Sequence, residues 1–187
     1  KEEGLEDVHQ ELTVEDMLIQ AVVKDGEKII FRDVKDENSG QTYNLTVAQY
    51  IAYDLGSDNL GFSNELYTKI LQEAVEHCGE EGLKAEEYFT QHADINIASV
   101  AVRLSVDRFQ LAESLQVKET EQTLRDRVLH LVADFRLEYV SSHLKELNER
   151  LLQVKDSQEM QEIMSEIMRT QNLRNELAKK TGSNILV

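Results

Sequence analysis

The chain has 187 residues, room for one or two domains. Its 36 Asp and Glu stand against 20 Lys and Arg, a formal charge of −16 with histidine neutral. A surface that neutralises phosphates needs clustered Lys and Arg, so the balance excludes direct nucleic-acid binding and attachment to an anionic membrane as first readings. No proline occurs where roughly nine would be average, and there are only eight glycines. Proline breaks helix interiors and punctuates loops, so the expected fold is all-α. The single cysteine, Cys78, excludes an internal disulfide and a cysteine-rich zinc site. No run of about 18 apolar residues is present to span a bilayer. Lys1 stands where an initiator methionine would, and the chain is expected to be a piece of a longer protein.

Lys1 to Leu12 is acidic, weakly patterned and expected to fray. Thr13 starts a first helix with Asp16 in the capping position. Leu18, Ala21 and Val22 share one face of it, and Gly26 ends it. Lys28 to Val34 alternates imperfectly, Asn38-Ser-Gly40 is a turn signal, and Thr42 to Leu45 fits a returning strand. A minor β-hairpin near residues 28–45 and a plain loop are the alternatives there. Thr46 followed by Gln49 opens a second helix with Val47, Tyr50, Ile51 and Leu55 apolar, and a loop runs from Gly56 to Gly61. Asn64 caps a third helix whose Tyr67, Ile70, Leu71, Ala74, Val75 and Cys78 make one stripe, stopped by Gly79. A shorter helix from Leu83 to His92 presents Tyr88 and Phe89. Asp94 caps a segment with Ile97, Val100, Ala101 and Leu104 inward, and a helical turn is expected around Phe109 and Leu111.

From Thr120 onward the only glycine is Gly182, and the pattern becomes long and helical. Leu124, Val128, Leu131 and Phe135 step by four, three and four. Val140, Leu144, Leu147, Leu151 and Val154 form a second stripe. The five-residue step from Phe135 to Val140 sets the two stripes about 140° out of phase, so one continuous helix would face one partner early and another late. Asp156 and Glu159 make a capping pair that places a tight turn near Lys155 to Ser157. The last helix carries Met160, Ile163, Met164, Ile167, Leu173 and Leu177, with Lys179 and Lys180 suited to its C-terminal end. It should stop at Gly182 and leave an apolar tail, Ile185-Leu186-Val187. The expected architecture is a helical bundle over residues 1–136 and a C-terminal antiparallel helical hairpin over residues 137–187. A two-helix hairpin buries one seam and keeps apolar surface for a partner.

Catalytic patterns are nearly absent. Gly56 and Gly61 have phosphate-loop spacing, but Phe62 and Ser63 stand where Lys and Ser or Thr are required. Glu6 and His9 form a lone Glu-x-x-His pattern where a di-metal bundle wants two. Glu73 with His77, and His130 with Asp134, read as solvated helix-face neighbours. No Gly-x-Ser-x-Gly elbow occurs, and Cys78 reads as a buried, inert thiol. Asn44-Leu-Thr46 matches a glycosylation sequon, although helix capping also accounts for Thr46. No catalytic residue, metal ligand or cofactor is assigned. The positive signal is a surface: Met160, Met164 and Met168 are three of the four methionines, and methionine is over-used where partners dock. Met160 and Met164 are expected to line the hairpin's own seam, with Met168 and Ile163 facing outward.

Several segments resemble one family. Glu87-Tyr-Phe-Thr-Gln-His-Ala-Asp94, Ile97-Ala-Ser-Val-Ala-Val-Arg-Leu-Ser105 and Arg108-Phe-Gln-Leu111 are similar to the C-terminal region of bacterial DNA primases of the DnaG type. So are Leu144-Lys-Glu-Leu-Asn-Glu-Arg-Leu-Leu152 and Arg174-Asn-Glu-Leu-Ala-Lys-Lys-Thr-Gly182. The resemblance runs from about Met17 to Val187. Arg103 stands where that family has an aspartate, and Phe-Gln-Leu-Ala replaces its Tyr-Glu-Leu-Ser turn. The resemblance implies a cytoplasmic, non-catalytic region that docks on the N-terminal domain of the hexameric replicative DNA helicase, with primer synthesis left to other domains of the parent. It thereby implies Ile163, Ile167, Met168, Leu173, Leu177, Lys180, Ile185 and Leu186 as contact candidates. The rival readings are an acidic helical adaptor unrelated to replication and a carboxylate-metal bundle enzyme.

Overall fold

The computed structural model describes residues 12–36, 40–105 and 120–183. The N-terminal fraying and the turn around Phe109 and Leu111 lie outside the described residues, as do Asn38 and Ser39 of the turn signal. Among the described residues the fold is mostly helical, with seven helices and one small antiparallel sheet.

Helix α1 (Val14–Asp25) begins at a complete capping box. The Asp16 N–H donates to Thr13 Oγ1 at 3.1 Å, and the Thr13 N–H donates to Asp16 Oδ2 at 3.0 Å. Ile19 and Val23 are fully buried as well as Leu18, Ala21 and Val22, so the single inward face expected for α1 is corrected to burial around most of the helix. Such a helix lies at the centre of a core, and α2 through α6 all pack on α1. Strands β1 (Ile29–Lys35) and β2 (Thr42–Thr46) settle the open question over residues 28–45 as a β-hairpin. Its register runs from Ile29 opposite Thr46 to Lys35 opposite Thr42, with two irregularities between. At one of them Asp33 takes φ 53°, and its N–H donates to Asn44 Oδ1 at 3.1 Å. Thr46 ends β2 and caps α2 (Val47–Ser57) through a reciprocal pair with Gln49. Both polar residues of the Asn44-Leu-Thr46 triplet thus serve the local fold.

Helix α3 (Glu65–His77) is capped by Asn64. Cys78 follows it half-buried, not fully buried as expected, with its thiol donating to Val75 O at 3.0 Å. Helices α4 (Ala85–Thr90) and α5 (Ile95–Ser105) are joined by the segment that carries the first resemblance. Phe89 is buried there. The Asp94 N–H donates to His92 Nδ1 at 3.0 Å, and Asp94 Oδ1 accepts the Asn96 N–H at 2.9 Å. Accepting at Nδ1 leaves the proton of a neutral ring on Nε2, which lies 2.9 Å from Glu73 Oε2. His92 therefore pins the α4–α5 turn against α3.

Helix α6 (Glu121–Gln153) runs unbroken for 33 residues, about 50 Å. Leu124, Val128, Val132 and Phe135 close the main core, whereas Leu144 and Leu147 form a second core with α7 (Ser157–Ser183). The position between 136 and 137 falls inside α6, so the two cores are successive contacts of one rod. Three arginines fasten the first half of that rod to carboxylates: Arg32 forks onto Glu121, with Nη2 2.7 Å from Oε2, Arg127 reaches Asp25 at 2.8 Å, and Arg136 grips Asp54 and Asp58. Arg136 also donates to the Asp54 carbonyl at 2.9 Å. It supplies the positive charge that the last turn of α2 lacks in its own sequence.

Candidate docking surfaces of the helical hairpin

Residues 154–156 connect α6 to α7. Asp156 Oδ2 accepts the N–H groups of Gln158 and Glu159 at 3.0 and 2.9 Å, satisfying donors that a helix start leaves open. Glu159 turns instead towards Arg150, 3.8 Å away. The helix described extends to Ser183, one residue past Gly182.

The seam corrects two expectations. Ile163 and Ile167 are 3% and 8% exposed and pack on Leu144 and Leu147, so these two contact candidates face inward. Met160 and Met164, expected inward, face solvent together with Met168, at 38%, 52% and 66% exposure. The reason is helical arithmetic: each four-residue step overshoots a full turn by about 40°, so the three methionines wind progressively away from the isoleucine seam. Stiff, β-branched isoleucines are left to fill it.

The flanks of the seam differ in charge. On one side His143 Nε2 lies 3.2 Å from Glu166 Oε1, and Arg150 lies near Glu159. On the opposite side, steps of three and four along α7 pass through Ser157, Met160, Met164, Met168, Gln171, Asn175 and Ala178 without meeting a charge. The corresponding line on α6 runs Leu137, Ser141, Leu144, Asn148 and Leu152. The Ser141 hydroxyl and the Asn148 amide donate back to the carbonyls of Leu137 and Leu144, both at 2.7 Å, which lowers their demand for water. Leu152 is 87% exposed. The hairpin thus has a charged face and an uncharged face.

The remaining contact candidates do not gather on the uncharged face. Leu173 and Leu177 lie on the charged flank, where they line a cleft of about 310 Å³ with Leu60, Tyr139 and Val140. Lys180 belongs to α7, but its side chain, like Ile185 and Leu186, lies outside the described residues. The uncharged strip of α6, including Leu152, was missed from sequence. Its signal, a line of charge-free positions, becomes readable only once it is known which flank of α6 lies beside which flank of α7.

The surveyed metal pairs separate. His77 Nδ1 sits 2.5 Å from Glu80 while Glu73 turns to His92, and His130 Nδ1 meets its own helix at Asp126 O, 2.6 Å away. Among the described residues no three His, Cys, Asp or Glu side chains converge as metal ligands, and no helix is long and apolar enough to cross a membrane.

No curated protein matches the chain, and no solved structure does. The family model described as Domain of unknown function (DUF8430) matches residues 3–185. By that match over nearly its whole length, the chain belongs to the DUF8430 family.

Proposed function

We propose that the chain is a non-catalytic protein-interaction region, the helicase-binding part of a bacterial DNA primase of the DnaG type. It docks on the N-terminal domain of the hexameric replicative helicase and so couples primer synthesis, carried out by other domains of the parent, to unwinding in the cytoplasm. The ordered set of sequence resemblances supports the choice of partner. The observation that carries the docking mode is the uncharged hairpin face, with Met160, Met164 and Met168 on α7 and Leu152 on α6. Adaptable methionines and self-satisfied polar groups suit helix-on-helix packing. The acidic remainder restricts orientation and partner choice.

Calorimetry of the chain with the helicase N-terminal domain tests this. Binding should weaken at least about tenfold, 1.4 kcal/mol, in a Met164→Glu, Met168→Glu variant of unchanged helicity. Absence of binding by the unmodified chain would overturn the reading. Loss of self-association in the same variant, without helicase binding in either protein, would favour the acidic adaptor.

A further inference from the structure

We propose that the notch between the helical bundle and the charged side of the hairpin is a second docking site, and that its occupant is a short amphipathic protein helix with lysine or arginine beside its apolar ridge. This does not rest on the primase reading, because the notch lies on the side of the seam opposite the methionine face.

Two clefts meet there. The first, about 310 Å³, has an apolar floor contributed by three separate segments: Leu60 from the α2–α3 loop, Val140 from α6, and Leu173 and Leu177 from α7. The second, about 380 Å³, is lined by the carboxylates of Glu15, Glu138 and Glu146 and by no lysine or arginine. Tyr139 and His143 line both clefts and form the ridge between them. Tyr139 is 46% exposed, and its ring offers an apolar edge and a π face for a cation.

The local charges restrict the occupant. Arg136, at the edge of the first cleft, is already engaged by Asp54 and Asp58. The neighbouring Glu166 approaches His143. Among the described residues Glu138 has no ion-pair partner, Glu146 has His143 Nδ1 at 4.0 Å, and Glu15 accepts a backbone N–H from Ser63 at 2.8 Å. A second copy of this chain, at −16, would bring like charge to the acidic cleft. An anionic partner fails for the same reason. A helix presents apolar side chains at spacings of three and four with a basic residue one turn along. Glu138 and Glu146 lie about 12 Å apart along α6, a spacing that basic residues about two turns apart on the partner helix match.

The test uses the whole chain and, as probe, a fluorescein-labelled helix of about 14 leucines and lysines with leucines at spacings of three and four. Fluorescence anisotropy should show binding that weakens about tenfold or more in Leu173→Ser, and equally in Glu138→Gln with Glu146→Gln. The glutamine pair is surface-exposed and leaves the fold in place even if Leu173→Ser loosens the hairpin. Glu81→Gln with Glu86→Gln removes the same charge elsewhere and should change binding by less than about twofold. Equal weakening by both glutamine pairs would reduce the effect to general attraction and overturn the site. So would binding indifferent to Leu173 and to the notch carboxylates, or no binding at all.

Discussion

Arg103 of α5 donates from Nη2 to Asp16 Oδ1 of α1 at 2.9 Å and, with the same nitrogen, to the Tyr67 hydroxyl of α3 at 2.7 Å. Tyr67 in turn donates to Asp16 Oδ1. Three helices are thus tied through one carboxylate that also caps α1. Burial pushes the Asp16 carboxyl up, but hydrogen bonds from Tyr67, Arg103 and Thr13 outweigh it and hold the group down to about 2.

A carboxylate depressed in the folded state stabilises above its unfolded pKa of about 4 and loses that contribution as pH falls towards 2. Asp16 is 13% exposed, so the linkage is worth on the order of 1–2 kcal/mol. Thermal melts between about pH 4 and pH 2 should show the unmodified chain losing stability faster than Asp16→Asn, with the two curves converging at the acid end. Parallel curves would contradict the linkage.

Arg136 should resist conservative replacement. It contacts the Asp54 carboxylate, the Asp54 carbonyl and Asp58 from one planar fork, a geometry that lysine's single ammonium cannot reproduce. The same Asp54 accepts the Tyr50 hydroxyl at 3.3 Å; burial and the Asp54 charge push that phenol up to about 12. Arg136→Lys is expected to cost about 1 kcal/mol and Arg136→Ala about 2–3 kcal/mol by urea unfolding, since alanine leaves a half-buried carboxylate unpaired. A double-mutant cycle with Asp54→Ala checks whether the loss belongs to this pair.

Gly26 closes α1 with φ −53°, so it needs no left-handed freedom. Its constraint is space: a Cβ would fall 2.4 Å from Val22 O, with Ala85 Cβ behind it at 3.6 Å. Gly26→Ala is therefore expected to destabilise by about 1–3 kcal/mol, although alanine is the better helix former. Chemical denaturation reads the sign directly.

Seam and surface of α7 should respond in opposite ways. Ile167→Ala removes a buried contact with Leu144 and Leu147 and is expected to cost about 2–4 kcal/mol of hairpin stability. Met164→Ala on the open face should stay within about 0.5 kcal/mol. Amide exchange along residues 157–179 measures both, because it reports opening of the hairpin separately from global unfolding.

Much of the fold is local and so could be read from sequence. Absent proline fixed the class, and Thr13, Thr46, Asn64 and Asp156 marked helix starts because capping depends on residues two or three positions apart. The five-residue step after Phe135 announced the change of partner along α6. Asp16 and Arg103, 87 positions apart, found one another only when α1 and α5 packed. The orientation of α7 was undecidable locally, since Met160, Met164 and Met168 repeat at the same four-residue interval as Ile163 and Ile167. The leucines of α6 chose between those stripes, and that choice turned the methionines outward. The notch has no sequence signature, because its floor is assembled from residues 60, 140, 173 and 177, and chain segments so far apart acquire a common surface only through tertiary contact.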